Sequence, residues 1–92
     1  MNYRIKIRQL TDNDLGRNCQ FPNTDSENYI THVDSLLESL RAIETIDTVN
    51  EIGGTIIIES QLTDKDDFWS SIKFLFEDEK ENIKFLSAEQ VA

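Results

Sequence analysis

The sequence predicts one α+β domain spanning residues 1–92, and three observations lead to that prediction. Residues 3–10 alternate apolar and polar side chains with the two-residue period of a strand. Two later segments repeat apolar residues with the period of a helix, and Gly53-Gly54 separates two β-prone runs. The order strand, helix, strand, strand, helix, strand predicts a two-layer, ferredoxin-like βαββαβ sandwich. Its four-stranded sheet is mostly antiparallel and carries both helices on one face.

The first strand places two kinds of side chain on opposite faces. Tyr3, Ile5 and Ile7 point to one side, which we expect to face the core, and basic residues point to the other. Right-handed crossover connections predict that the first and third strands are central and parallel neighbours.

Residues 11–24 allow two interpretations. Asn, Asp, Gly and Pro side chains are frequent there, which predicts a loop. The segment is nevertheless long for a strand-to-helix connection. The alternation of Arg17, Cys19 and Phe21 with polar residues also fits a strand that pairs back on the first one. That alternative fold is ββαββα, with an extra N-terminal hairpin.

The first helix is expected over residues 25–44. Thr24 and Glu27 have the spacing of a capping box, which satisfies free backbone N–H groups at a helix start. The helical period is kept by six apolar residues: Ile30, Val33, Leu36, Leu37, Leu40 and Ile43.

The second half of the chain predicts a hairpin, a helix and a short strand. The hairpin joins residues 48–52 and 55–59 through Gly53-Gly54, which suits a turn with positive φ angles. The second helix begins after a Thr63 cap and ends near Glu79, and the last strand covers 83–86 before a fraying tail. Nine residues are expected to form the core: Ile5, Ile7, Val33, Leu37, Leu40, Ile56, Ile58, Ile72 and Phe76.

Composition limits the classes of partner. Nine basic and 18 acidic residues give a net charge of −9, which argues against a general nucleic-acid binder and against docking on anionic lipid. A single cysteine favours a reducing compartment, and neither a signal-peptide pattern nor a long apolar run is present. We therefore expect a cytoplasmic protein that contacts neither nucleic acid nor membrane directly.

Side chains with catalytic or metal-binding chemistry are few. Cys19 and His32 are the only residues of their types, and their surroundings match no nucleophile motif. The run that begins at Asp12 starts like a calcium loop but places Arg17 where that motif needs glycine. The sequence thus predicts a protein that is not an enzyme and holds no cofactor or metal.

Two surfaces are expected to bind a partner. The first consists of acidic patches: Asp12, Asp14, Asp64, Asp66, Asp67, Glu77, Asp78, Glu79 and Glu81. The second is the sheet face away from the helices, with a basic stripe beside two isoleucines: Arg4, Lys6, Arg8, Ile52 and Ile57. Residues 1–8 carry +3, whereas residues 9–92 carry −12, so charge is strongly segregated.

These surfaces predict a small, non-catalytic protein that binds and inhibits another protein. Acidic side chains imitate nucleic-acid phosphates and steer association with a basic groove. The expected target is accordingly a nucleic-acid-handling protein, and the class is an immunity protein, an antitoxin or a phage-encoded inhibitor of a bacterial defence complex. The alternative is a homodimeric structural or accessory subunit that associates through its open sheet face.

Overall fold

The computed structural model describes residues 1–11, 14 and 26–91. Within them lie β1 (Asn2–Gln9), α1 (Ser26–Arg41), β2 (Ile46–Ile52), β3 (Thr55–Ser60), α2 (Lys65–Asp78) and β4 (Ile83–Val91). A four-stranded antiparallel sheet and two helices confirm the predicted α+β class. The choice between loop and strand for residues 11–24, the capping residue Thr24, and the side chains of Asp12 and Cys19 all lie outside the described residues.

The strands are arranged in the order β2-β3-β1-β4. The predicted central position of β1 and β3 is confirmed, but the predicted parallel direction is wrong, because Asn2 pairs with Glu59 and Lys6 with Thr55 in an antiparallel register. The connections explain the direction. Helix α1 returns the chain so that β2 runs the same way as β1, and the glycine turn then reverses β3 beside β1.

Strand β1 has a neighbour on each side, which bears on the alternative fold. It pairs with β3 over Asn2–Lys6 and with β4 over Asn2–Gln9. Both hydrogen-bonding edges of β1 are therefore occupied along Asn2–Lys6. The alternative ββαββα order ends in a helix, whereas in the structure β4 follows α2. Whether residues 11–24 form a further strand lies outside the described residues.

The turn between β2 and β3 favours glycine at its first position and requires it at its second. Gly53 has φ of 58° and Gly54 has φ of 86°, conformations that side-chain-bearing residues seldom adopt. A Cβ atom on Gly54 would lie only 2.8 Å from the carbonyl oxygen of Ile7. The Ile7 N–H in turn donates to the Gly54 carbonyl at 2.9 Å, so the turn is fastened to β1.

One hydrophobic core lies between the sheet and the helices. All nine predicted core residues are buried: Ile5, Ile7, Val33, Leu37, Leu40, Ile56, Ile58, Ile72 and Phe76. Tyr3 is buried as well, stacked on Phe68 with 3.7 Å between ring centroids, and its hydroxyl donates to the Leu62 carbonyl at 2.7 Å. Ile30, predicted on the apolar stripe of α1, is instead 59% exposed, because it lies in the first turns of the helix, ahead of the buried residues.

Several predicted element ends differ from the structure. Helix α1 ends at Arg41 and not at residue 44. The N-cap of α2 is Asp64 rather than Thr63, since its carboxylate accepts the N–H groups of Asp66 and Asp67. The predicted fraying tail is wrong, because β4 continues to Val91, which pairs with Asn2. None of the described helices is both long and apolar enough to cross a membrane.

Candidate functional site

Three surfaces outside the core present side chains for binding. The open sheet face is the side of the sheet away from the helices. The α2 outer face is the solvent side of α2, with Phe74 among acidic residues. The α2–β4 groove lies between α2 and the edge strand β4 and is lined by Trp69, Phe76 and Phe85.

The strand registers place the predicted stripe on the open sheet face. Arg4 is opposite Ile57 of β3, and Lys6 is opposite Thr55, which in turn pairs with Ile52 of β2. Ile52 and Ile57 are 71% and 42% exposed, so both expected apolar residues are accessible. The stripe, however, is partly neutralised, because Arg4 forms an ion pair of 3.2 Å with Glu89 of β4.

Arg8 and Asp14 form a second ion pair, and this corrects the expected exposure of Asp14. The two side chains make two hydrogen bonds of 3.0 and 3.3 Å, and the Thr11 N–H donates to the same carboxylate at 2.8 Å. The Asp14 side chain is only 11% exposed. The hydrogen bonds from Arg8, followed by the one from the Thr11 backbone, hold the pKa of Asp14 well below its usual range. Asp14 is therefore the partner of the basic stripe and not part of an exposed acidic patch.

The α2 outer face brings together most of the remaining predicted acidic residues. Asp66 and Asp67 are exposed in its first turn. Asp64 is also exposed, and its own carboxylate caps the helix. At the other end Glu77 lies 3.8 Å from Lys73, while the exposed Asp78 and Glu81 form no ion pair within the described part of the chain. The acidic groups thus occupy both ends of α2.

Phe74 lies between these two ends. Its side chain is 54% exposed, whereas Phe68 and Phe76 of the same helix are buried. An exposed aromatic ring on a helix surface is a frequent anchor in protein–protein interfaces. Phe74 falls off the 68/72/75/76 face, so its place in the sequence already indicates an aromatic residue that is either core or a protein-binding residue, and the structure leaves it exposed.

Glu79 differs from the other predicted acidic residues. Its Oε2 lies 2.8 Å from Nδ1 of His32 and accepts a hydrogen bond from Asn82 at 3.3 Å. Its side chain is 22% exposed, and it joins the end of α2 to α1. The expectation of a free acidic group is wrong here, because tertiary contacts occupy the carboxylate.

The α2–β4 groove was not expected from the sequence. Two adjoining cavities, of about 570 and 290 Å³, share the side chains of Trp69 and Phe85. The Trp69 ring lies 4.9 Å from Phe85 and 5.5 Å from Phe76, measured between centroids. The floor of the groove is therefore aromatic. Four of the nine basic residues of the chain line it: Lys65, Lys73, Lys80 and Lys84.

Neither side-chain clusters nor known proteins assign an activity to these surfaces. Within residues 1–11, 14 and 26–91, no group of three histidine, cysteine or carboxylate side chains is placed to hold a metal ion. His32 faces Glu79, and Cys19, the other residue considered for catalysis, is outside the described residues. Comparisons of the chain with protein-family models, with curated proteins and with solved structures find no match.

Proposed function

We propose that this chain is a non-catalytic protein that binds and inhibits a nucleic-acid-handling protein through its α2 outer face. The observation that carries the proposal is the half-exposed ring of Phe74 between two groups of exposed carboxylates. Interfaces that are specific and electrostatically steered often contain an aromatic anchor surrounded by charged side chains.

Helix geometry concentrates these side chains on one surface. Residues three and four apart in a helix are neighbours, so Phe74 lies beside Glu77 and Asp78. Asp67 precedes Phe74 by seven residues, which is about two turns, and therefore lies along the same side of the helix. The ring is thus the centre of a patch with carboxylates on both sides.

The charge of the patch indicates the chemistry of the target. Proteins that bind nucleic acid present lysine and arginine to phosphate groups, and a surface of carboxylates offers them a similar field. The chain carries a net −9, and exposed ion pairs contribute little to folding. Inhibition follows when the bound acidic surface occupies the basic groove of the target.

Photo-crosslinking in the native host tests whether Phe74 contacts a partner. The ring is replaced by p-benzoylphenylalanine, which keeps its size and reacts with adjacent C–H bonds on illumination. Ile30 is the matched control, because it is also an exposed apolar residue on a helix. We expect one defined adduct from position 74 and none from position 30. Equal adducts from both positions, or none from either, would contradict the proposal.

Electrostatic steering is tested with the protein captured by that crosslink. Replacing Asp67, Glu77 and Asp78 by lysine is expected to lower the association rate far more than it raises the dissociation rate. The control is the same reversal of Asp34, Glu38 and Glu44, which are exposed on or just after α1. Equal loss of rate from both sets would assign the effect to net charge and not to the α2 outer face.

A second candidate function is a homodimeric subunit that associates through the open sheet face. The exposure of Ile57 in the middle of that face, with Ile52 beside it, favours this alternative. Ile57→Glu is expected to weaken self-association and leave the fold intact, as measured by sedimentation velocity and circular dichroism. A wild-type chain that stays monomeric at high concentration would remove this candidate.

We also infer that the fold belongs to the ferredoxin-like class. The ferredoxin-like class is supported by the strand order β2-β3-β1-β4, with one helix after β1 and the other after β3. Both helices contribute buried residues to the one core cluster, which places them on the same face of the sheet. Fold class alone does not determine function, so the proposal above rests on the surfaces.

A further inference from the structure

We propose that the α2–β4 groove binds an extended acidic peptide, which adds as a strand to the outer edge of β4. Its apolar side chains enter the two cavities, and its carboxylates meet the lysines at the rim. This inference goes beyond the proposed function, because it uses the side of α2 that faces β4, with Asp66 and Glu77 bordering both surfaces, and a partner segment of opposite charge.

The edge strand provides the backbone part of the site. β4 is the last strand of the sheet, and its inner edge pairs with β1 over residues Asn2–Gln9. Among the described residues no backbone hydrogen bond is made to the outer edge of its residues 84–91. An unpaired strand edge is the acceptor in β-strand addition, where main-chain hydrogen bonds supply much of the affinity.

The two edges of the sheet differ in how they are covered. At β2, the opposite edge strand, the guanidinium of Arg41 donates to the Val49 carbonyl at 3.0 Å. In β4 a bulge opposite Lys6 and Ile7 interrupts the regular pairing at Leu86. Such a bulge limits edge pairing to short segments, which suits a short peptide better than a long sheet-to-sheet contact.

The cavities provide pockets for side chains. The larger one, about 570 Å³, lies against Phe76, Ile83 and Phe85, and the smaller one, about 290 Å³, lies against Trp69 and Ala88. The larger one falls within the volumes of about 300–1,000 Å³ that are typical of sites for organic groups, and the smaller one is a shallower depression beside it. Alternate side chains of an extended peptide are about 7 Å apart on one face, so neighbouring pockets along a strand select every second residue.

Charge selects an acidic occupant. Lys65, Lys73, Lys80 and Lys84 line the groove in a chain whose net charge is −9. Three carboxylates line it too: Asp14 is paired with Arg8, Glu77 occupies Lys73, and Asp66 lies at the far end, so the lining keeps a small excess of positive charge. The groove is therefore a locally basic, aromatic surface, complementary to a segment of alternating acidic and apolar residues.

Trp69 is the single tryptophan of the chain and lines both cavities, so its fluorescence reports on the groove. The probe is a capped eight-residue peptide that alternates phenylalanine and aspartate, titrated into the full chain. A peptide with lysine in place of aspartate is the control. We expect a saturable change with the acidic peptide and at least about tenfold weaker binding of the basic one. No change, or equal binding of the two peptides, would overturn the proposal.

Two variants test the position of the peptide. Lys84→Glu is expected to weaken binding roughly two- to fivefold, which is the range for a partly exposed charge contact. Lys6→Glu is the matched control, because Lys6 is exposed on the open sheet face and does not line the groove. Equal weakening by both variants would assign the effect to net charge and contradict the proposed site.

Two backbone-modified peptides test strand addition. One carries N-methyl groups at its odd residues and the other at its even residues, so each lacks the N–H donors of one edge. We expect one of them to bind at least about tenfold more weakly than the unmodified peptide, because only one peptide edge faces β4. Strand addition is refuted when both bind like the unmodified peptide.

A second copy of the chain is the competing occupant of the same edge. Sedimentation velocity and Trp69 fluorescence are measured over the same range of protein concentration. A monomer with constant fluorescence supports a peptide partner. A dimer whose formation changes Trp69 emission would show that the β4 edge pairs with itself, and would overturn the proposal.

Discussion

Two phenylalanines of α2, two residues apart, are expected to differ sharply in their contribution to stability. Phe76 is 6% exposed and contacts Trp69 and Phe85 with ring centroids 5.5 and 5.7 Å away, whereas Phe74 is 54% exposed. Buried Phe→Ala substitutions cost about 3–5 kcal/mol. Because Phe76 borders the groove, part of the void left by its removal opens to solvent. We therefore expect Phe76→Ala to cost about 3–4 kcal/mol, in the lower half of that range.

The cost at Phe74 is much smaller for two reasons. About half of its side chain is already in solvent, so truncation loses about half of the roughly 1.5–3 kcal/mol of a fully buried ring. Alanine also has a higher helix propensity than phenylalanine, which returns about 0.5 kcal/mol. Phe74→Ala is thus expected to cost less than about 1 kcal/mol.

Urea denaturation followed by far-ultraviolet circular dichroism measures both free energies of unfolding. A small protein loses about 1–3 kcal/mol of stability per molar urea, so Phe76→Ala lowers the midpoint by at least about 1 M. Phe74→Ala serves as the matched control on the same helix. Equal midpoints for the two variants would refute the assigned faces of α2, and with them the exposed anchor of the proposed interface.

Two pH-dependent predictions follow from buried polar contacts. Hydrogen bonds from Arg8 lower the pKa of Asp14. The Arg8–Asp14 pair therefore stabilises the fold fully above the unfolded-state pKa of about 4. This stabilisation is lost as pH falls towards the lower pKa of Asp14 in the folded protein. Asp14→Asn is expected to flatten the acid-side dependence of the unfolding free energy on pH, measured by urea denaturation at a series of pH values. Burial, and then the charges of Asp64 and Asp67, raise the pKa of Tyr3, so stability falls as pH rises above about 10. Tyr3→Phe is expected to reduce this alkaline loss and, through the missing bond to the Leu62 carbonyl, to cost about 0.5–1.5 kcal/mol at neutral pH.

Local patterns predict the core of this protein well. Ile5 and Ile7 alternate with basic residues, and Leu37 and Leu40 keep the helical period, so the buried face is readable one element at a time. The hairpin is readable for the same reason, since Gly53-Gly54 supplies the positive φ angles that a two-residue turn needs.

Contacts between distant elements are not readable in that way. The tail after Leu86 has weak strand propensity, yet it becomes strand because β1 offers an edge with which it pairs as far as Val91. Glu79 looks like a member of an acidic run, and only the packing of α1 against α2 brings His32 to its carboxylate. The sequence therefore shows which residues are acidic, but the fold decides which of their carboxylates are occupied by tertiary contacts.

The α2–β4 groove could not be predicted from the sequence either, because it depends on contacts between distant elements. Trp69 and Phe76 are recognisable as aromatic residues of one helix, whereas Phe85 lies in a different element. Their assembly into one surface depends on the position of β4 at the sheet edge, which follows from strand order and not from any motif.

The dependence of the association rate on salt tests the central claim most directly. The rate constant between the wild-type chain and the partner captured at position 74 is measured by stopped flow at about 0.02 M and about 0.5 M salt, where screening of exposed charges is weak and strong, respectively. Electrostatic steering through the α2 outer face predicts a fall of at least about tenfold with salt, and a much smaller fall for the Asp67, Glu77 and Asp78 reversal. An association rate that is the same at both salt concentrations, for both proteins, would contradict the account.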